Sequence, residues 1–371
     1  MVKFGNIVRD VKINVDRSNN PYKHYVAGDH MNSEDLTIHR HGDFATDDVG
    51  PAFTRIFKPG QILYGSRRTY LKKIAVADFS GICANTTFVL ESKDETVFLT
   101  RLLPFIMLSE SFTRWSIAHS KGSTNPYVLF SDLADYELDL PPIDEQRILA
   151  DKLWAAYRLK ESYKKLLTAT QEMVKSQFIE MFKGLPDNGK IGDLVDKGIT
   201  SVKKSYKTND EIEYIDISSI DNISNIVVET TKYEVSNAPS RAQLCVKNGD
   251  ILVSTVRPVN RNIAVVTKDL QNLVASTGFC VLRPKDGYRE YLLSIVKSDA
   301  YTESMCDKAS GGLYPAVNNS DVLSYVIHIP DIQLSQKISV IYHQADKSEF
   351  ELRKSIEAID QVIKSLINNI K

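Results

Sequence analysis

The chain has 371 residues, with 46 basic and 47 acidic side chains and a net charge of −1. That length suits two to three domains, each able to bury its own core. A hydrophobic content of 43% and a charged content of 25% are ordinary for a folded globular protein and exclude a disordered chain. No apolar run reaches the ~18 residues of a membrane span, so no membrane partner is expected. The opening Met1-Val2-Lys3-Phe4-Gly5-Asn6 has no apolar core after its lysine, so no signal peptide is read. Cys83, Cys245, Cys280 and Cys306 are scattered without a C-x-x-C pair. A disulfide framework and a zinc site are therefore not expected, and a cytoplasmic location is. With so little net charge, any nucleic-acid binding must rest on local basic surface.

In chain order, strand-like stretches fall at 61–64, 73–77, 86–90 and 136–140, each rich in β-formers and bounded by Gly, Asp or Ser. Between them, 97–119 has helical spacing, with an interruption expected near Pro104. After Leu140-Pro141-Pro142 no Gly or Pro appears until Gly184. Across that stretch Leu149, Leu153, Ala156, Tyr163, Leu167, Thr170, Val174 and Met181 recur mostly three and four apart. This is the seam of a long helix, interrupted at Lys160, with Asp144 as its expected N-cap. The second half repeats the order: strands at 250–254, 262–267, 278–282 and 325–329, and helical spacing over 288–306. After Pro330 a second seam runs through Ile338, Ile341, Ala345, Leu352, Ile356, Ile359, Ile363, Leu366 and Ile370, interrupted at Glu349 and with Asp331 as N-cap. Helices of about 40 residues span roughly 60 Å at 1.5 Å per residue. One apolar stripe of that length needs a partner; the other helix is the expected one, packed antiparallel with a domain at either end, and packing of each helix on its own domain is the bland alternative.

The two halves say the same thing twice. Lys58-Pro59-Gly60-Gln61-Ile62-Leu63 returns as Lys247-Asn248-Gly249-Asp250-Ile251-Leu252, 189 positions on. The register holds at Arg68/Arg257 and Lys72/Arg261, and is back at Gly122/Gly311, Pro126/Pro315 and Tyr136/Tyr325. A unit of half the chain is far longer than the roughly 20–50 residues of a solenoid repeat. The expected fold class is α+β: two tandem mixed domains, each followed by a long helix. The division is 1–142 first domain, 143–183 first helix, 184–330 second domain and 331–371 second helix.

Candidate functional residues cluster in loops. Ser66, Arg67, Arg68, Thr69, Tyr70, Lys72 and Lys73 place four cations, a tyrosine and two hydroxyls directly after a strand. Arginine grips phosphate or pairs bidentately with guanine, and hydroxyls add polar contacts; a solvated hairpin face is the bland alternative. The second copy offers Ser254, Thr255, Arg257, Asn260 and Arg261. Lys203, Lys204 and Lys207 flank Tyr206 in a further basic stretch that also reads as a charged loop. The turns carrying Lys121 and Ser123, and Gly312 and Tyr314, let backbone approach a phosphate or base edge closely, or are plain loops.

Catalytic signals are thin. Asn125-Pro126-Tyr127 partly matches the Asn/Asp-Pro-Pro-aromatic signature of adenine-N6 methyltransferases but lacks the second proline. No Gly-rich nucleotide turn accompanies it, so no cofactor is expected. His39-Arg40-His41 near Asp43, Asp47 and Asp48 lacks metal-ligand spacing and reads as a polar loop. Glu145-Gln146-Arg147 reads as a favourable first turn of the helix.

Taken together, the stretches 60–70 and 76–83, Gly249-Asp250-Ile251-Leu252-Val253-Ser254 and Ser276-Thr277-Gly278-Phe279 resemble target-recognition domains of type I restriction–modification specificity subunits. Leu140-Pro141-Pro142-Ile143-Asp144-Glu145-Gln146-Arg147-Ile148 is similar to that family's junction between domain and spacer helix, and 176–182 to the end of the helix. The second junction departs: Pro330-Asp331-Ile332-Gln333-Leu334-Ser335-Gln336 lacks the Pro-Pro and the Glu before Gln. The resemblance implies a chain that binds double-stranded DNA, performs no chemistry and binds no S-adenosylmethionine. It further implies two methylation (M) subunits held by the chain and restriction (R) subunits completing the enzyme. Two other readings are kept: a non-catalytic protein scaffold, and an orphan subunit serving methylation only. A cofactor-binding methyltransferase or nuclease would require a pocket the sequence does not show.

Overall fold

A computed structural model describes residues 1–16, 19–222, 224–267 and 272–368. The chain divides into two compact units: 1–165 with 352–371, and 166–351. Each unit takes a share of both long helices, Ile143–Phe182 and Ile332–Asn368.

In the first unit, Val8–Asp10, Thr87–Ser92, Ile62–Gly65 and Ile74–Val76 form a four-stranded antiparallel sheet. A second four-stranded sheet orders Gly42–Asp43, His24–Val26, Gly81–Ala84 and Phe53–Phe57, with His24–Val26 parallel to Gly81–Ala84 and the other pairs antiparallel. Residues 62–64 are buried on both faces. Alternation sends Ile62 and Tyr64 to the helices Leu103–Leu108 and Glu110–Ala118, and Leu63 to Val26, Phe57 and Cys83 of the second sheet. The larger core continues through Phe98, Phe105 and Phe112 to Ala150, Leu153 and Tyr157 of the first long helix and Ile363 and Ile367 of the second.

The second unit repeats the plan. Ile220–Asp221, Ile226–Val227, Ile263–Val265, Ile251–Ser254 and Phe279–Leu282 form one sheet; Thr231–Glu234, Glu211–Ile215, Leu273–Ser276 and Ala242–Cys245 form the other. Ile251 and Val253 face the helices Arg289–Lys297 and Asp299–Lys308 with Phe178 and Ile338 of the long helices, while Leu252 faces the other sheet.

The first helical stretch breaks later than expected, and the second, expected to be continuous, breaks as well. Pro104 sits in the first turn of its helix, where its missing N–H costs nothing. The break is at Ser109, whose extended backbone and Oγ, accepting from Phe112 N at 3.2 Å, start a new helix. Ser298 does the same, accepting from Tyr301 N at 3.1 Å. The stretch 136–140 forms only Glu137–Leu138, paired with Val2–Lys3 in a separate two-stranded ladder. Strands at 8–10, 24–26 and 53–57 went unread because they are short and lack alternation.

Antiparallel pairing of the long helices holds in each unit. In the first, Lys160 Nζ meets Asp360 at 2.5 Å; in the second, Gln171 donates to Glu349 at 3.0 Å. The polar residues interrupting each seam are thus satisfied by the facing helix. Asp331 caps its helix, accepting from Leu334 N at 2.8 Å. Asp144 does not: it lies inside the helix and pairs with Arg147 at 2.8 Å. Ile370 lies outside the described residues.

Gln146 is no ordinary first-turn residue. It is fully buried, accepts from Leu99 N at 3.2 Å and donates to Val97 O and Pro141 O at 2.9 Å each. In the departing second junction, Ser335 occupies the matching position, fully buried, and donates to Gly287 O at 2.5 Å. One hydrogen bond replaces three, so the missing motif weakens the clamp without removing it.

Candidate nucleic-acid interface

The loop after strand Ile62–Gly65 and the glycine turn between Lys121 and Tyr127, read separately in the sequence, form one surface. Arg68 N donates to Pro126 O at 2.7 Å and Val128 N to Ser66 O at 2.9 Å. Lys121 and Tyr127 exchange backbone bonds at 2.7 and 2.9 Å across a turn in which Gly122 has φ +88°. In the second unit Arg257 N donates to Pro315 O at 2.7 Å, Val317 N to Thr255 O at 2.9 Å, and Ser310 and Ala316 exchange bonds around Gly311. The Asn125-Pro126-Tyr127 segment therefore serves as a backbone latch for the basic loop.

The backbone at the cations is unusual. Arg68 and Lys72 have φ 49° and 46° and flank the single 3-10 turn Thr69–Leu71; Arg257 and Arg261 have φ 49° each and flank Pro258–Asn260. Among the described residues six non-glycine positions have positive φ, and four are these cations. A side chain in the left-handed region costs about 1–2 kcal/mol, which glycine would avoid.

Several predicted residues face inward. Ser66, Thr69, Ser254 and Thr255 are buried. Ser66 Oγ donates to Thr86 O at 2.6 Å, Ser254 Oγ to Val256 O at 2.9 Å and Thr255 Oγ1 to Gly278 O at 3.0 Å; Thr69 lies 3.4 Å from Ser120 Oγ. These hydroxyls brace the loop, correcting their reading as surface contacts. Lys72 binds Glu34 at 2.8 Å, Lys121 binds Asp132 at 3.0 Å, and Lys73 donates to Gly28 O. Arg261 binds Asp299 at 2.7 Å, and Asp299 also takes Lys175 of the first long helix at 2.7 Å. The bond from Lys175, then that from Arg261, holds the Asp299 carboxyl below the usual carboxylate range.

What remains at the surface differs between units. In the first, Arg67 lies 5.9 Å from the Tyr127 ring, Tyr70 and Ser123 are exposed, and Arg68 extends without a side-chain partner among the described residues. In the second, Arg257 lies 4.6 Å over the Tyr314 ring and donates to Leu313 O at 3.1 Å. Leu313 and Tyr314 are 85% and 67% exposed, an apolar and aromatic tip where the first unit has Thr124 and Asn125. Gly312 and Asn260 are exposed beside it. Lys203, Lys204 and Lys207 are exposed at the short helix Val202–Ser205, which packs on Ala242–Cys245 in the sheet that does not carry the Arg257 loop.

The histidine segment does not gather around Asp43, Asp47 and Asp48. The His41 ring lies against His24 at 4.0 Å between centroids, tilted by 45°, whereas His39 binds Asp35 at 3.0 Å beside Glu161. The Asp35 carboxylate accepts from the Tyr157 hydroxyl at 2.8 Å and Thr37 N at 3.0 Å, and Glu161 binds Lys164 at 2.8 Å. These donors are engaged within the protein, and Tyr157 ties the 35–37 segment to the long helix. Sequence reading missed Glu34, Asp299 and Tyr157, whose partners lie far along the chain.

Comparison with known proteins follows the same two-copy plan. A family model described as the type I restriction modification DNA specificity domain matches residues 12–169 and again 187–361. The chain belongs to this family. Among curated relatives it is 29% identical to the type I restriction enzyme HindI specificity subunit of Haemophilus influenzae over 44% of this chain and 37% of that one. It is 27% identical to the EcoDI specificity subunit of Escherichia coli over 34% and 29%. These two alignments thus span about a third of the relatives' length. The MjaVIII specificity subunit of Methanocaldococcus jannaschii is 22% identical over 78% and 73%. A type I restriction–modification S subunit from M. genitalium shares the fold with a TM-score of 0.57 at 14% identity, covering 98% of this chain and 94% of that one. A structure of a type I restriction–modification system matches with a TM-score of 0.55 at 17% identity, covering 99% and 96%. No helix among the described residues is long and apolar enough to cross a membrane.

Proposed function

We propose that this chain is the DNA sequence-recognition subunit of a type I restriction–modification enzyme, each unit reading one half of a split, asymmetric site in double-stranded DNA. The observation that carries this reading is the recurrence in both units of a latched two-loop platform with cations at matching left-handed positions. Strain retained at positions glycine would occupy freely points to use of the side chains. The tips differ, Thr124-Asn125 against Leu313-Tyr314, so the two platforms present different chemistry and the two half-sites differ. Arg67, Arg68, Tyr70, Ser123, Arg257, Asn260, Gly312 and Tyr314 are the contacts from the platforms, and Lys203, Lys204 and Lys207 a separate phosphate-binding patch.

In this reading the chain is non-catalytic and works in the cytoplasm. Domains 1–142 and 184–330 bind DNA, while helices 143–183 and 331–371 set the unread gap and dock two methylation subunits, with restriction subunits completing the enzyme. Mapping adenine methylation across the host genome with the gene intact and deleted tests this. Loss of one split, asymmetric motif is expected. An unchanged methylome, with the methylation partner expressed, would overturn the reading.

A further inference from the structure

The second left-handed cation of each loop is tied to an acid, and the two units take that acid from unrelated places. Lys72 and Arg261 match by repeat, yet Glu34 lies in a loop before its cation and Asp299 opens a helix after its own. The residue matching Asp299 in the first unit is Glu110, and Lys72 binds Glu34 instead. The pairing recurs while the acid does not. Glu34 is itself left-handed at φ 55°, and its N–H donates to Lys72 O at 3.1 Å, so it grips both ends of that residue.

We propose that Asp299 and Glu34 are positioning residues for DNA reading: each fixes the rear cation of its loop so that the front cation, Arg257 or Arg68, is presented at its half-site. The inference rests on the recognition function above. Three residues of 3-10 turn separate the rear from the front cation in each loop, so a rear anchor sets the direction of the front side chain. Asp299 is in turn held by Lys175, which makes reading by the second loop depend on the first long helix. Support behind the loops is unequal. Lys72 borders a cavity of about 110 Å³ lined by Phe105 and Leu108, whereas Arg261 borders one of about 620 Å³ in which Ser294 and Lys297 stand at the matching positions. With less packing behind it, the second loop depends more on its acid.

The test exploits a sign. Removing a negative charge beside DNA strengthens binding to every sequence if charge alone matters. Positioning requires the opposite for the cognate site. Asp299→Asn, assembled with its methylation subunits, is titrated by fluorescence anisotropy against a duplex carrying the methylated motif and duplexes with either half scrambled. The variant is expected to lose roughly three- to tenfold discrimination at the second half-site, as befits two partly exposed ion pairs, with non-cognate affinity unchanged or higher. Discrimination at the first half-site stays intact. Glu34→Gln should do the same at the first half-site, more weakly, and serves if Asp299→Asn fails to assemble. Discrimination retained by both variants would overturn the positioning role alone. A wild-type complex that ignores scrambling would overturn the recognition function and this inference with it.

Discussion

Replacing Arg68 separates what its side chain does from what its backbone costs. The residue sits at φ 49°, is exposed, and has no side-chain partner among the described residues. Its backbone bonds, N–H to Pro126 O at 2.7 Å and C=O from Leu71 N at 2.9 Å, are kept by Ala or Gly. Arg68→Ala keeps the left-handed penalty and should match wild-type stability to within about 0.5 kcal/mol. Arg68→Gly removes about 1–2 kcal/mol of strain. It adds about 0.5–1 kcal/mol of chain entropy to the unfolded state, so Gly should exceed Ala by about 0.5–1 kcal/mol. At a urea slope near ~2 kcal/mol/M this is a midpoint difference of about 0.3–0.5 M. Both variants should weaken cognate DNA binding equally: by about 1–3 kcal/mol if Arg68 pairs with a base, or with a salt slope lower by about 0.9 if it binds phosphate. Urea unfolding followed by fluorescence, beside anisotropy over a salt series, reads both effects. A Gly variant less stable than Ala, or DNA binding untouched in both, would refute the reasoning.

Other consequences follow from the same contacts. Tyr157→Phe removes a buried hydroxyl that donates to Asp35 and accepts from Leu36 N at 2.9 Å, with Thr37 Oγ1 at 3.0 Å. Asp35 Oδ1 keeps its bond from Thr37 N, so the buried Leu36 N–H is the group left unpaired. The change should cost about 1–3 kcal/mol in denaturant unfolding, and a loss under ~0.5 kcal/mol would show the clamp idle. Burial raises the Asp35 carboxyl, but Thr37 N–H, the Tyr157 hydroxyl and the charges of Lys164 and His39 together leave its folded value depressed. Its stabilisation is therefore present above the ordinary carboxylate value near ~3.9 and lost as pH falls through the folded one. Asp35→Asn should flatten the acid limb of the stability curve, and an unaltered limb would contradict this. Combined Lys203→Ala and Lys204→Ala should weaken binding to all duplexes alike and lower the salt slope by up to about 1.8; an altered methylation motif would move these lysines from phosphate to bases.

The junctions and the loops illustrate the reach of a single sequence. Ser109 and Ser298 match by repeat and both start helices, yet Pro104 drew attention because proline is the stronger local signal. Gln146 was visible as part of a junction motif, but its burial against the 97–99 backbone is a contact 47 to 49 residues away in sequence. The buried hydroxyls of Ser66 and Thr255 looked like surface chemistry because a loop after a strand is usually solvated. They turn inward because the glycine turn covers them, as Val128 N and Val317 N bind the Ser66 and Thr255 carbonyls.

Two copies, two long helices and a basic loop after the same strand in each half were determined by the sequence alone. A repeat declares itself by register, and a helix by a period carried through neighbouring residues. Tertiary structure decided that the basic loop and glycine turn form one platform, that four cations stand in the left-handed region, and that Glu34 and Asp299 anchor two of them. Those are pairings between segments distant along the chain. Local propensity carries no information about them, because which carboxylate meets which cation is set only when the sheets and helices have packed.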